Sequence, residues 1–522
     1  MELTHRPTHP LGDFQPEPEA LHGLADGQAL AVETFGGRIH VEWDPQAAVT
    51  PLGQLAFFIE FLKLGNLFEP FVAECPLERL SPNSPHTRDV LGTLLLSILA
   101  GHQRYAHITA LRGDHVNPQL LGMRKLISED SMRRALMRVD EEKGVAWLQS
   151  HLSKSYQPLL CVPWILDVDV TVKPLYGHQE GAVVGYNPKK PGRPSHTYHS
   201  YFIGNLRLIL DVEVQAGNEM ASSYSAPNLW RLLDAMPVAD WPRFIRGDCA
   251  FGTDGVMSEA ENRGLRYLFK LKATKNVQRL IERLMTQKGG TWEPAGQGWE
   301  GQSSELQLHG WAIKRRVIVL RKQIPKEVAV VHVDSESQQL EMYFGETNQK
   351  TYVYEYAVLV TSLPDEVITI AQHYRDRADS ENVFDELKNQ WGWSGFTTQD
   401  LKRCRLIARI IALIYNWWNL FVRLAEPQHH LEAITSRPLL LHAVGKQTTH
   451  AGQTRLTISS SHGKLKRVQG LLSRITAFFK TLKALAEQLS PLERWYAILS
   501  RAVEPYLQGR PLQPPHPPPI PV

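Results

Sequence analysis

Cysteine is scarce in this chain. Cys75, Cys161, Cys249 and Cys404 lie far apart, no two have zinc-ligand spacing, and nothing suggests a disulfide framework. That points to a reducing, cytosolic setting. Long hydrophobic runs are also missing. VLGTLLLSILAG (90–101) is too short to span a bilayer, and LIARIIALIYNWWNLFV (406–422) is interrupted by Arg409, Asn416 and Asn419. Both read as buried helices, and no membrane partner is expected. The start, MELTHRPTHPLGDFQPEPEA, is polar and shows no signal-peptide pattern. No internal repeat is visible. An excess of charge of one sign is absent as well: 57 Lys and Arg against 54 Asp and Glu leave a net charge of +3. Binding to nucleic acid would therefore rest on local patches. Candidate patches are Lys189, Lys190 and Arg193; Lys314, Arg315 and Arg316; Lys402, Arg403 and Arg405; and Lys464, Lys466 and Arg467. Each is equally what a solvated surface carries.

What is present is a globular composition, 43% hydrophobic and 21% charged, over 522 residues, long enough for several domains. Residues 1–50 read as a lead-in with two strand-like pieces, ALAVETF and RIHVEW. Residues 51–158 turn helical, with apolar residues three and four apart. Ser128 or Asp130 is placed to cap the helix SMRRALMR, whose Arg133, Arg134 and Arg138 suit either a DNA-reading helix or the charged face of a bundle.

The character changes at 159–270. VPWILDVDVTV is a buried strand carrying carboxylates, and TYHSYFIGN and LRLILDVEVQAG are strands meeting at Gly204-Asn205. A helix, the strand RFIRGDCAF, a second helix and the strand LRYLFKLK follow. Three strands and then alternating helix and strand predict an α/β sheet with helices on its faces. Residues 271–361 read as a β-rich insertion that includes EVAVVHV and LEMYFGE. The helical pattern resumes over 362–425, which completes the α/β unit. Residues 426–508 form a mixed C-terminal region, and 509–522 a proline-rich tail.

Two features carry chemistry. The first is YRDRADSENVFDELK (374–388). Read as one α-helix of about 100° per residue, it places Tyr374, Arg377, Glu381 and Lys388 within a stripe of roughly 60°. Val383, Phe384, Leu387 and Trp391 form the core-facing side; Asp379, Asn382, Glu386, Asn389 and Gln390 fall on the solvent side. Asp379 or Ser380 is placed to cap a second helix and so kink the first. Asp385 is a rival carboxylate beside the stripe. The bland reading is a surface pair, Arg377 with Glu381 at i,i+4. The second feature is a set of strand aspartates. Asp167 and Asp169 are two apart and share one strand face, and Asp248 ends another strand, where α/β folds place ligands. A charge in an apolar strand needs a partner or a metal. Three converging carboxylates suit hard divalent cations such as Mg²⁺. Two such ions serve phosphodiester chemistry, with neighbouring Arg, Lys and Tyr for phosphates.

Together these residues resemble the DDE transposases of bacterial insertion sequences, in the branch marked by Y-x2-R-x3-E-x6-K. Tyr374, Arg377, Glu381 and Lys388 match that spacing. Asp169-Val170-Thr171 fits the family's D-x-T, with Asp167 as the competing aspartate, and Arg246, Asp248 and Phe251 fit its R-x-D-x-x-F. EGAVVGYNPKKPGRPSH, QAGN (215–218) and WGWSGFTTQD resemble one subgroup, and the likeness covers roughly residues 50–450. The resemblance implies a ribonuclease-H-like mixed sheet flanked by helices, interrupted by a β-rich insertion, with helical N-terminal and C-terminal regions. It implies metal-dependent cleavage at element ends and strand transfer into target DNA. The metals would be Mg²⁺ or Mn²⁺, two ions held by Asp169, Asp248 and Glu381. Tyr374, Arg377 and Lys388 would contact DNA. A dimer on double-stranded DNA and a bacterial cytoplasmic, nucleoid-associated location are implied likewise. Some relatives form a DNA hairpin and stack a flipped base on an insertion tryptophan, for which Trp292, Trp299 and Trp311 are candidates. The chain departs from many relatives at Ala378, where they carry tryptophan. A metal nuclease that does not join strands, and a non-catalytic DNA-binding derivative, are the competing readings. The 100–140 helices, the insertion and the C-terminal helix compete as the region that reads the ends.

Overall fold

The computed structural model describes residues 29–42, 44, 47–187, 190–287, 291–325, 352–485, 487–510, 512 and 514. The start of the lead-in, the expected strands EVAVVHV and LEMYFGE, and nearly all of the proline-rich tail lie outside the described residues. The two strand-like pieces of the lead-in pair as a hairpin of β1 (Leu30–Thr34) and β2 (Gly37–Val41), and β3 (Val49–Thr50) follows. Helices Leu55–Leu64, Phe68–Ala73, Thr87–Leu99, Glu129–Met137 and Glu141–Tyr156 come next.

The chain then builds its main sheet. The strands are β4 (Ile165–Pro174), β5 (Val183–Val184), β6 (Pro194–Ile203), β7 (Leu208–Ala216), β8 (Phe244–Gly247), β9 (Tyr267–Lys270), β10 (Glu293–Gly296), β11 (Trp299–Leu306), β12 (Arg315–Pro325) and β13 (Tyr352–Thr361). Their order is β10-β11-β12-β13-β9-β8-β4-β6-β5, with β7 against β6. Pairing is antiparallel for β4–β6 and β6–β7 but parallel for β4–β8 and β8–β9. This is a mixed sheet flanked by helices, consistent with a ribonuclease-H-like fold with an insertion. The β-rich segment continues the same sheet, because β13 pairs antiparallel with β9.

The run 406–422 lies in one buried helix, Leu401–Ala425, and the polar residues that interrupt it are its anchors. Arg409 pairs with buried Asp211 of β7 at 2.7 Å. The Asn416 side chain accepts from the Ile209 amide (2.9 Å) and donates to the Ile209 carbonyl (2.8 Å), extending the edge of the sheet into the helix. Asn419 donates to the Arg207 carbonyl at 3.2 Å. Buried polar groups are stable only when paired in this way. Trp418 against Phe58 (5.3 Å) and Trp417 against Phe71 (5.4 Å) tie the N-terminal helices to the same element. Each such pair adds about 1 kcal/mol beyond its burial. Among the described residues no helix is long and apolar enough to cross a membrane.

The C-terminal region supplies β14 (Gly445–His450) and β15 (Gln453–Ile458), which form a small sheet with β3. The strand expected in TRLTISSS is β15, and the helix expected after it runs Leu465–Ala484.

Candidate active site

Strand register sets the first two carboxylates. Parallel pairing of β4 with β8 aligns Asp167 with Arg246 and Val168 with Gly247. The next residues on the two strands are Asp169 and Asp248. Asp248 stands just past the end of β8, and its carboxylate accepts from the Ala250 amide at 2.9 Å. Asp167 and Asp169 do share one face, and the third element lies over it.

That element is not one helix. Helix Val367–Arg375 ends, Asp376 and Arg377 form a turn, and helix Ala378–Asn389 begins. The break falls earlier than the kink at Asp379-Ser380 that capping preferences suggest. Arg246 anchors it: its guanidinium donates to the carbonyls of His373 and Asp376 at the end of the first helix. Carbonyls at a helix end have no partner within the helix, so a buried donor there stabilises the break. The stripe survives in part. Arg377 and Glu381 face the strands, and Val383, Phe384, Leu387 and Trp391 are buried as the core side requires. Glu386 overturns its expected solvent position. It is 2% exposed and accepts from the Trp391 indole (3.0 Å) and the Ala433 amide (2.9 Å), with His430 at 2.8 Å. Asp385, the rival carboxylate, is exposed and bonded to Asn389 at 2.7 Å.

Arg377 draws the site together. Its guanidinium donates to Asp169 Oδ2 and to Glu381 Oε1, each at 2.5 Å. Arg377 is 8% exposed, whereas the Glu381 side chain is 59% exposed. Asp248 and Glu381 lie close enough for their charge to act on Asp169. Burial pushes the Asp169 carboxyl up to about 7; Asp248 and Glu381 push the same way, and Arg377 opposes them. Arg377 is held above its ordinary value: burial lowers it, and Asp169, Tyr374, Asp248 and Glu381 more than offset that. Tyr374 is raised, first by burial and then by Asp248 and Glu381. Tyr374 therefore belongs to the same electrostatic cluster. Lys388 is half-buried on the second helix.

Asp167 has a different role. It takes two bonds of 2.6 Å from Arg246, both residues being 1% exposed, and a third from the Ser380 hydroxyl. Its oxygens are fully used in holding β4, β8 and the second helix together. Sequence reasoning assigned no such role to Arg246 or Ser380. The available signal was a positive and a negative charge set into two apolar strands, each needing a partner.

Oxygen donors of this kind suit a hard divalent cation. Among the described residues, however, no group of three or more His, Cys, Asp or Glu is arranged to hold a metal ion. The carboxylates are arranged around Arg377, which lies between Asp169 and Glu381 as a counter-ion would. Of the candidate tryptophans, Trp311 is 8% exposed beneath Arg315 (5.3 Å), so its ring is not an open stacking surface. Trp292 is half-buried with the Arg321 guanidinium 4.0 Å from its ring, and Trp299 is half-buried with Lys322 at 6.0 Å.

A family model described as "Transposase DDE domain group 1" matches residues 74–479. No curated protein matches the chain. Among solved structures, the chain is similar to a piggyBac transposase in a synaptic complex with hairpin DNA, determined by cryo-EM. The identity is 10%, the TM-score is 0.35, and the match covers 88% of this chain and 87% of that one.

Proposed function

Because the chain belongs to the family of transposases with a group 1 DDE domain, we propose that it cleaves DNA at insertion-sequence ends and joins the freed 3′-hydroxyls to target DNA. The observation that carries this reading is the bridge from Arg377 to Asp169 and Glu381, with Asp248 within electrostatic reach. It joins a strand carboxylate and a helix carboxylate through one guanidinium. Asp169, Asp248 and Glu381 would hold Mg²⁺ or Mn²⁺. Burial and then the neighbouring carboxylates raise the Asp169 carboxyl, and added positive charge would oppose that shift. Ions held there would supply activation of the attacking water or hydroxyl and stabilisation of the leaving oxygen.

The chain's own residues do the rest. Arg377 keeps Asp169 and Glu381 in register and, freed from them, presents a planar fork to a phosphate. Lys388, on the helix that follows, adds a point charge for the backbone, and Tyr374 supplies a neutral hydroxyl donor. Asp167, Arg246 and Ser380 fix the strand and helix that carry these groups. The protein would act on double-stranded DNA as a dimer, in a bacterial cytoplasm.

The test is Glu381→Gln with a labelled element end and a target plasmid. Cleavage and joining should fall by at least about 100-fold, while binding to the end persists. Wild-type levels of cleavage by this variant would remove the assignment. Cleavage by the wild type without joined product would make the protein a nuclease of this fold.

A further inference from the structure

Several of the basic residues that suggested DNA contacts are engaged within the protein. Arg315 is 3% exposed and bound to Asp254, Glu261 and Ser258. Arg403 pairs with Asp400, and Arg405 with Glu141. Lys125, Arg134 and Arg138 differ. They line an open groove of about 440 Å³ between the 81–85 turn, the 125–128 segment and helix Glu129–Met137. Among the described residues no Asp or Glu lines it. Lys125 and Arg134 are exposed, and Arg138 is steadied by a 3.3 Å bond to the Ser84 hydroxyl. Asn83, Ser84 and Ser131 add uncharged donors to the walls. The acids of the helix's first turn, Glu129 and Asp130, point to Arg133, at 3.8 and 4.0 Å.

We propose that this groove binds phosphates of the duplex DNA backbone and positions the DNA without reading its bases. The proposal rests on the DNA-cleaving function proposed above. Three cations around one groove with no acid between them repel one another, and a bound anion relieves that. Arg134 and Arg138 are one helical turn apart, where like charges interact unfavourably. Arg, Lys, Ser and Asn side chains are the groups that commonly hold backbone phosphates. Base reading would need side chains free to reach base edges, but Arg133, the arginine of this helix outside the groove, is held by Glu129 and Asp130 and by the Tyr105 ring at 5.5 Å.

The experiment uses the full chain and two duplexes of unrelated sequence, with affinity measured by fluorescence anisotropy over a series of KCl concentrations. The Lys125→Gln/Arg134→Gln/Arg138→Gln variant should bind both duplexes about tenfold or more weakly. Its slope of log affinity against log salt should be shallower by about 2 to 3, because each neutralised phosphate contributes about 0.9. Circular dichroism checks the fold. If the triple variant is unfolded, Arg134→Gln and Lys125→Gln, both at exposed positions, should each lower the slope by about 1. An unchanged affinity and slope overturns the groove alone. Loss on one duplex only shows base reading and overturns the backbone assignment. Binding of inorganic phosphate by calorimetry, lost in the variant while DNA binding is unchanged, makes this a free-phosphate site and also overturns it. A wild-type chain that binds neither duplex overturns the proposed function together with this inference.

Discussion

Arg377 and Asp169 are 208 residues apart in sequence and 2.5 Å apart in space. The same guanidinium also reaches Glu381, so one fixed cation separates two carboxylates proposed to hold metal. A divalent ion entering that point competes with Arg377. Removing the arginine should therefore strengthen metal binding even as it weakens catalysis. In Arg377→Gln, added Mg²⁺ should raise the melting temperature by more than it does in the wild type. Adding Asp169→Asn to that variant should abolish the gain. Differential scanning fluorimetry with and without Mg²⁺ measures this, and equal responses in wild type and variant would sink the metal assignment.

The two strand aspartates should separate cleanly. Asp167 and Arg246 are a fully buried pair, and breaking such a pair by removing one partner costs about 3–5 kcal/mol. Asp167→Asn or Arg246→Met should lose that much stability in urea denaturation. The Asp169 carboxyl is raised by burial and crowded by Asp248 and Glu381, so its charge is poorly accommodated, and without it Arg377 keeps Glu381 as a partner. Asp169→Asn should cost clearly less stability than Asp167→Asn and abolish cleavage. If the two asparagine variants lose equal stability, the division into a structural and a chemical aspartate is wrong.

Gly204 is dictated by the same pair. A Cβ there would lie 2.2 Å from Asp167 Oδ2 and 3.0 Å from Arg246 Nη2. Neither atom can retreat, because each is held by the buried bonds between them. Gly204→Ala should cost about 1–3 kcal/mol, as overpacking does. Introduced beside Asp167→Ala, the same change should cost much less, because the clash is gone. A double-mutant cycle in urea gives the coupling, and strict additivity would show that the turn is strained for another reason.

Local pattern recovered much of this architecture. Alternation and apolar runs placed β4, β6, β7, β8 and β9 and the helix over 406–422, and motif spacing singled out Asp169, Asp248, Arg377 and Glu381. What it left open depended on distant partners. Asp167 and Asp169 have the same strand face and the same type of neighbours. Only Arg246, 79 residues on, and Ser380, 213 residues on, distinguish them. Glu386 was misplaced because a helical wheel shows which face meets the core, not what later chain covers the other face. His430 and Ala433, 44 and 47 residues downstream, cover it. The break at Asp376-Arg377 carries no proline or glycine to announce it. Arg246 holds it by reaching two carbonyls, a contact invisible to any local window.

His199 predicts acid lability. It is 0% exposed on β6, where it contacts the Ser225 hydroxyl, the Glu219 carbonyl (2.7 Å) and Thr197 Oγ1 (3.1 Å). Burial lowers its pKa from 6.5 to about 4, with the Glu219 carbonyl opposing. Below pH 6.5 the unfolded chain takes up this proton, and the folded chain does so only near pH 4. Stability should therefore fall as pH drops through that window, by about 1.4 kcal/mol per pH unit and on the order of 3 kcal/mol in all. Buried His151 is also lowered to about 4, so it acts in the same range and His199→Asn should remove only part of the slope. Urea denaturation of both proteins between pH 7 and pH 4, about the span of the two pKa values, measures the difference. Parallel stability curves for wild type and variant would mean that His199 is not held neutral by the fold.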